Sequence, residues 1–188
     1  EFVLTQNLVS KSLEIFRFDE AAKHVYKFVW HSYCDWYLEF LKPIFHSKNR
    51  LELKEARLFS SFMMANILKL LHPFIPFFTE SVWANNDYKK IFKTNLILSE
   101  WPEYSVITKF KTNCSNINDL IDFISSIRSS KSELKITPKL YCNIHFLEKS
   151  SKLNKIVLTN LVLAKHVGRI RNILKSKKID KNTVQILS

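Results

Sequence analysis

Glycine is almost missing from this chain, since Gly168 is the only one in 188 residues. Loops that wrap nucleotide phosphates, such as GxGxxG and GxxxxGK[ST], need several glycines, so neither can be written here. The GxSxG and HExxH motifs of hydrolases and metalloproteases do not occur either. The sequence therefore offers no familiar motif for nucleotide binding or for hydrolysis.

Cysteine is also scarce. Cys34, Cys114 and Cys142 are odd in number and far apart, and no CxxC pair exists. No cysteine and histidine have zinc-finger spacing, so we interpret the three as free thiols in a reducing cytosol. His31 and Cys34 lie three residues apart on one predicted helix, but two ligands do not make a metal site. We expect no bound metal.

Long apolar runs are missing too. No run reaches the roughly 18 residues of a membrane-spanning helix, and the N-terminus has no signal-peptide pattern. We therefore expect a cytoplasmic protein without a membrane segment. The first residue is Glu1 rather than Met, which predicts a piece of a longer chain.

Positive charge and apolar side chains are what the sequence does contain. The chain is 46% apolar and 13% aromatic, with a net charge of +12. Residues 1–94 carry 13 Lys and Arg against 10 Asp and Glu, whereas residues 95–188 carry 16 against 7. A basic surface suggests a polyanionic partner, first of all a nucleic acid. From charge alone, a generally basic surface without such a partner is equally well supported.

Helical periodicity dominates the first hundred residues. Apolar residues recur at helical spacing in four segments, about 2–16, 19–41, 52–72 and 77–85. The later pattern is mixed, with an extended segment at 95–102, helices at 116–133 and 150–164, alternation typical of a strand at 139–146, and a strand start at TVQIL (183–187). We predict a mainly α protein, in which an antiparallel helical bundle (1–108) precedes a small α/β segment (112–188).

The second predicted helix carries the candidate site. At about 100° per residue, an apolar stripe that includes Tyr26, Tyr33 and Tyr37 faces the core. The opposite side carries lysines and histidines, with Leu38 among them and Cys34 at the edge. An exposed leucine framed by cations suits an unstacked base whose phosphates bind around it. The alternative is that Leu38 packs beneath a neighbouring segment.

Three strings are similar to one known family. RFDEAAKHVYKFVWHSYCDWYLEFLKP (17–43), LLHPFIPFFTESVW (70–83) and LILSEWPE (96–103) resemble the anticodon-binding region of the valyl-tRNA synthetases. FISSIRSSKSELKITPKLYCNIHF (123–146) also resembles this family, so the resemblance covers essentially the whole chain. It implies a bundle of the class I synthetase type, followed by a small α/β segment that leads toward a coiled coil.

The resemblance also implies a function. The parent enzyme would activate valine with ATP, attach it to tRNA(Val) and edit mischarged threonine, because binding alone rejects a near-isosteric competitor poorly. This chain has no HIGH-like or KMSKS-like motif, so we expect tRNA recognition without chemistry and without a cofactor, ATP and Mg²⁺ belonging to the catalytic domain. The expected partners are tRNA(Val) and the catalytic and editing domains of the same chain, and we expect a monomer.

The resemblance places the leucine of DWYL, Leu38, against an anticodon base. Arg17 matches the RFDEAA turn. Geometry on the helix adds Lys42 and Lys27 as phosphate contacts and His31 and Cys34 as neighbours of the base. Phe18, Trp30, Trp83 and the HPFIPF segment are interpreted as packing residues. Basic residues of the second segment are further candidates for the tRNA backbone: Arg128, Lys131, Lys135, Lys165, Arg169, Arg171, Lys175, Lys177 and Lys178.

Three alternatives stay open. The chain could be a structural linker that docks the catalytic core onto the coiled coil, with tRNA contacts made elsewhere. It could be the equivalent module of another class I synthetase, such as the isoleucyl enzyme. A self-standing enzyme is disfavoured by the missing motifs.

Overall fold

The computed structural model describes residues 1–102, 114–147 and 152–176. The chain divides between residues 110 and 111 into two compact units. The described residues are mainly helical, with one small parallel sheet, which confirms the predicted fold class. Within these ranges no helix is both long enough and apolar enough to cross a bilayer.

The first unit is built from helices. Their bounds, in chain order, are α1 (Phe2–Glu14), α2 (Phe18–Lys27), a π-helix (Phe28–Tyr37), α3 (Leu38–Phe45), α4 (Arg50–Leu71), α5 (Pro76–Asn85), α6 (Tyr88–Phe92) and a 3₁₀ turn (Leu96–Leu98). The segment 95–102 was predicted to be extended, and the 3₁₀ turn within it corrects that prediction.

Local chemistry sets the ends of the longer helices. The Asn49 side chain accepts hydrogen bonds from the backbone N–H groups of Leu51 and Glu52, which caps α4. Pro76 begins α5, at a position where its missing N–H costs no helical hydrogen bond. α3 continues through Pro43 to Phe45, past the predicted end of the second helix at residue 41.

Two apolar clusters hold the first unit together. The larger one joins α1, α2, the π-helix and α4 through nine buried residues: Phe2, Val9, Ala21, Val25, Phe28, Tyr33, Met63, Ile67 and Leu70. The smaller one surrounds Trp83, which is fully buried and donates its indole N–H to the Thr94 carbonyl at 3.0 Å. The predicted packing role of Trp83 is therefore confirmed.

The π-helix changes how the second long helix faces the core. Its hydrogen bonds span five residues, as the bond from the Leu38 N–H to the Tyr33 carbonyl shows. Residues five apart therefore share a face, and Phe28, Tyr33 and Leu38 all meet the larger cluster, as do Val29, Cys34 and Tyr37. Each π-helical residue turns through a smaller angle than an α-helical one, so the face that follows the π-helix is rotated from where an α-helical wheel would place it.

The second unit combines helices with a two-stranded sheet. Its elements are α7 (Cys114–Glu133), β1 (Cys142–Leu147), α8 (Lys152–Thr159), α9 (Leu161–Gly168) and β2 (Ile170–Ser176). β1 pairs in parallel with β2, and Ile144 lies opposite Ile173. The predicted helix at 150–164 is two helices that meet at Asn160, and no element was predicted where β2 lies. The predicted strand start at TVQIL lies outside the described residues.

Candidate nucleic-acid interface

Leu38 does not lie on the exposed cationic face that the helical wheel predicted. It is half-buried and packs against the larger apolar cluster, as does Cys34. The π-helix is the physical reason, because its slower turn brings both side chains round toward the core. The predicted exposure of Leu38 is therefore wrong. The role that the resemblance gives Leu38 at an anticodon base is a separate matter and stays a prediction.

Burial also changes the chemistry of Cys34. Removal from water, with a smaller contribution from the Asp35 carboxylate, raises the pKa of the thiol. The thiolate, which is the reactive form, is thereby disfavoured. Within the described ranges, no group of three or more His, Cys, Asp or Glu side chains could hold a metal ion.

Arg17 and Lys42 are exposed but already have anionic partners. The Arg17 guanidinium bonds Glu20 at 2.6 Å and Asp19 at 3.3 Å, and its hydrogen bond lowers the pKa of the Asp19 carboxyl. The Lys42 ammonium pairs with the Glu39 carboxylate one helical turn away. A phosphate would have to compete with these carboxylates for both cations.

Lys27 and His31 remain on the solvent side of the second long helix. Lys27 is exposed, and no described carboxylate lies within ion-pair distance of it. His31 is exposed too, with its Nδ1 atom 3.5 Å from the Asp35 carboxylate. Of the six predicted site residues, these two lie together with their polar groups in solvent.

An exposed aromatic pair, Tyr26 and Trp30, neighbours Lys27 and His31 in the chain. Tyr26 is 62% exposed and Trp30 is 54% exposed. Their rings are stacked, with an interplanar angle of 6° and centroids 6.3 Å apart. The helical wheel placed Tyr26 in the core, and Trp30 was interpreted as a packing residue, so both predictions are wrong.

These side chains form one continuous surface, which we call the α2 stripe: Lys23, Tyr26, Lys27, Trp30 and His31. Within α2 the spacing of three and four residues puts Lys23, Tyr26 and Lys27 on one helical face, and the stacking of Tyr26 on Trp30 carries that face into the first turn of the π-helix. Sequence reasoning found two of its polar members, Lys27 and His31, but missed Lys23 and the aromatic pair. The signal was present as two Lys-x-x-aromatic units in KHVYKFVW (23–30).

Other predicted packing residues are also exposed. Phe18 lies on the surface, where its ring meets that of Phe16 edge to face. In the HPFIPF segment, Phe74 packs against the larger cluster, but Ile75 and Phe77 are exposed. The packing interpretation therefore holds for Trp83 and Phe74 and is wrong for Phe18, Ile75 and Phe77.

Some basic residues of the second unit have structural roles. The Lys131 side chain is buried, with 7% exposure, and donates to the Leu140 carbonyl at 2.8 Å and the Gly168 carbonyl at 3.4 Å. Arg169 lies over the Tyr141 ring at 5.7 Å and donates to its hydroxyl at 3.2 Å. Lys135 and Arg171 are exposed, so they stay candidates for a phosphate backbone.

A helical bundle that precedes a small α/β unit is the architecture that the sequence resemblance implied. Residues 1–146 match the family described as the anticodon-binding domain of tRNA ligase. The chain belongs to this family of tRNA-ligase domains.

Within the tRNA ligases, the chain is similar to valine–tRNA ligases. It is 39% identical over 187 residues to the valine–tRNA ligase of Pelagibacter ubique, a match that covers 100% of this chain and 21% of that protein. It is 33% identical to the valine–tRNA ligase of Agrobacterium fabrum and 32% identical to that of Rhizobium meliloti, each over 95% of this chain. The chain spans about a fifth of the length of these curated relatives.

Proposed function

We propose that this chain is the tRNA-recognition module of a valine–tRNA ligase, that it binds the anticodon loop of tRNA(Val), and that it carries no catalytic step. The observation that carries the proposal is the family match over residues 1–146, together with similarity to valine–tRNA ligases along the whole chain. The second long helix supports it by presenting exposed cations beside exposed rings, as recognition of a single-stranded loop requires.

The remaining chemistry belongs, in this proposal, to the rest of the ligase. The catalytic domain binds ATP and Mg²⁺ and attaches valine to tRNA(Val), and the editing domain removes mischarged threonine. This chain needs no cofactor of its own. It acts in the cytoplasm as part of a monomeric ligase, with tRNA and the catalytic and editing domains as its partners.

The proposed site residues differ in how readily they reach RNA. Lys27 and His31 are exposed on one face and can meet a phosphate or a base directly. Arg17 and Lys42 must first leave a carboxylate, a small cost because exposed ion pairs contribute only about 0–1 kcal/mol. Leu38 and Cys34 are half-buried, so each would offer RNA only part of its surface.

Binding of labelled tRNA(Val) at several salt concentrations tests the proposal. We expect weak binding that falls steeply with rising salt, since cations that neutralise phosphates release counterions. A tRNA with a different anticodon should bind less tightly at every salt concentration. Absence of binding at low salt, or equal affinity for both tRNAs, would contradict the proposal.

Two matched variants show whether the free cation contributes more than the paired one. Lys27→Ala should weaken binding of all tRNAs and lower the salt slope by about one. Lys42→Ala should change the slope less, because Glu39 already neutralises Lys42. Equal slopes for the two variants would show that the ion pair at Lys42 opens in the complex.

A structural linker is the second candidate, and one observation favours it. Phe77 is 92% exposed, and Ile97 and Leu98 nearby are exposed as well, with the backbone of Ile97 held by the Glu80 carboxylate one turn from Phe77. Exposed apolar patches mark contact surfaces, here for another domain of the ligase. If this role dominated, Phe77→Ser would leave tRNA binding by the chain unchanged while weakening its association with the catalytic domain.

A further inference from the structure

The α2 stripe has a repeated arrangement of cation and ring. Lys23 precedes Tyr26 by three residues, and Lys27 precedes Trp30 by three residues. The second unit of the repeat lies four residues further along the helix, a rise of about 6 Å. Each ring thus has an ammonium group on the same face, and all four side chains are exposed.

The two rings are arranged to extend a stack rather than to fill a core. They are parallel within 6°, and each is more than half exposed, so the pair keeps open ring surface in contact with water. An exposed stacked pair buries less apolar area than the same rings would bury in the bundle. A third flat ring laid on the pair would bury that remaining face.

The charged side chains around the aromatic pair indicate which kind of planar ligand would bind there. Lys23 and Lys27 have no described carboxylate within ion-pair distance, so the stripe is cationic on both sides of Tyr26. His31 adds a ring nitrogen one residue beyond Trp30. A planar group attached to an anionic backbone fits this surface, whereas an apolar protein segment would leave both ammonium groups without a partner.

We propose that Tyr26 and Trp30 form a stacking platform for an unpaired nucleobase of the tRNA anticodon loop, with Lys23 and Lys27 holding the adjoining phosphates. This inference rests on the proposed function and adds to it the residues that read the base by stacking. Stacking tolerates any base because every base has a π face. The platform therefore supplies affinity for a splayed loop, while discrimination between anticodons lies elsewhere.

An anticodon stem–loop RNA of tRNA(Val) and the same RNA with abasic loop positions separate stacking from phosphate contact. The wild-type chain should bind the intact loop more tightly than the abasic loop. Trp30→Leu should weaken binding of the intact loop by about tenfold and leave the abasic loop nearly unchanged. The salt slope should stay the same, since no phosphate contact is lost.

Three further measurements separate stacking on Trp30 from a general effect of substituting an exposed aromatic residue. Trp30→Phe keeps a flat ring and should restore much of the affinity. Phe77→Leu, an equally conservative change at an exposed ring in α5, outside the stripe, should have no effect on binding. Intact RNA should quench the fluorescence that Trp30 contributes, obtained as the difference between the wild type and Trp30→Leu, and Tyr26→Leu should reduce this quenching.

The outcomes distinguish this inference from the function on which it rests. If the wild type binds the intact loop but Trp30→Leu binds it equally well, the platform is refuted and the proposed function stands. If Trp30→Leu lowers the unfolding temperature without changing RNA affinity, Trp30 is a packing residue and the platform is again refuted. If the wild type does not bind the stem–loop at all, the proposed function fails as well.

Discussion

The surroundings of Tyr33 change the pKa of its side chain. It is buried beside Phe28 in the larger cluster, and its ring stacks on Tyr37 at 5.3 Å. Burial, with smaller contributions from neighbouring titratable groups, raises the pKa of its phenol to about 12. Because burial disfavours the phenolate, the folded bundle keeps Tyr33 protonated at a pH where an exposed tyrosine has lost its proton.

This raised pKa predicts a loss of stability at alkaline pH. Below about pH 10 both the folded and the unfolded chain are protonated at this site, so the contribution of Tyr33 to stability is complete. Between about pH 10 and pH 12 the unfolded chain releases the proton while the folded chain keeps it, so the free energy of unfolding falls by up to about 1.4 kcal/mol per pH unit. Urea unfolding across this range measures the slope.

Tyr33→Phe is the control for that experiment, because other groups also titrate there. The variant lacks the phenol and should show a shallower decline than the wild type over the same pH range. Identical declines would mean that Tyr33 is accessible to water in the folded chain.

At the scale of elements, the π-helix decides which residues are core. The clearest test compares Leu38, which follows the π-helix, with Tyr26, which precedes it. Leu38→Ala should lower the free energy of unfolding by about 1–2 kcal/mol, less than for a fully buried leucine, because Leu38 is half-buried against the larger cluster. Tyr26→Ala should cost less than about 1 kcal/mol, because the Tyr26 side chain is mostly exposed and its ring stacks on that of Trp30.

Denaturant unfolding of the two variants gives this ranking directly. The reverse order, with Leu38→Ala the less damaging, would mean that Leu38 does not pack on the larger cluster, as expected if the helix kept an α-helical period through residues 28–37. The same result would restore Leu38 to the exposed face that the wheel predicted.

In the second unit, a substitution of Lys131 tests whether this buried side chain stabilises the sheet. Its ammonium group joins the segment before β1 to the end of α9 through two carbonyls. Lys131→Met should leave both acceptors unpaired and destabilise the sheet by about 1–3 kcal/mol. Native-state hydrogen exchange of the β1 and β2 amides measures this locally.

Lys135→Met is the matched control, since Lys135 is exposed four residues further along. It should leave the exchange rates of the sheet unchanged. If both variants leave the sheet unchanged, Lys131 has no stabilising role and returns to the set of candidate phosphate contacts.

For the whole molecule, the sequence predicted the architecture better than the site. The helical periods and the strings at 17–43 and 70–83 were enough for the fold class and the family, because amphipathic stripes reflect which side of a helix is buried. The ion pair of Lys42 with Glu39 was also readable, since these residues lie three apart on one helix.

The π-helix could not be predicted from the sequence, and missing it gave Leu38 and Cys34 the wrong helical face. A wheel drawn at 3.6 residues per turn assigns faces wrongly once the hydrogen bonds span five residues. Leu38 was consequently placed in solvent and Cys34 at the edge of the solvent face. Tyr26 precedes the π-helix, so its predicted place in the core is a separate error. The exposed Trp30 was missed for a different reason, because an aromatic residue in a helical bundle is more often packed than exposed.

The central claim is that this chain binds a tRNA through its anticodon loop, and chemical footprinting of tRNA(Val) tests it most directly. Hydroxyl-radical cleavage of the tRNA, with and without a saturating amount of the chain, maps which nucleotides the chain covers. The account predicts protection concentrated in the anticodon loop and its closing stem, lost at high salt. Protection confined to the acceptor stem or the elbow, or none at a concentration where binding is complete, would contradict it.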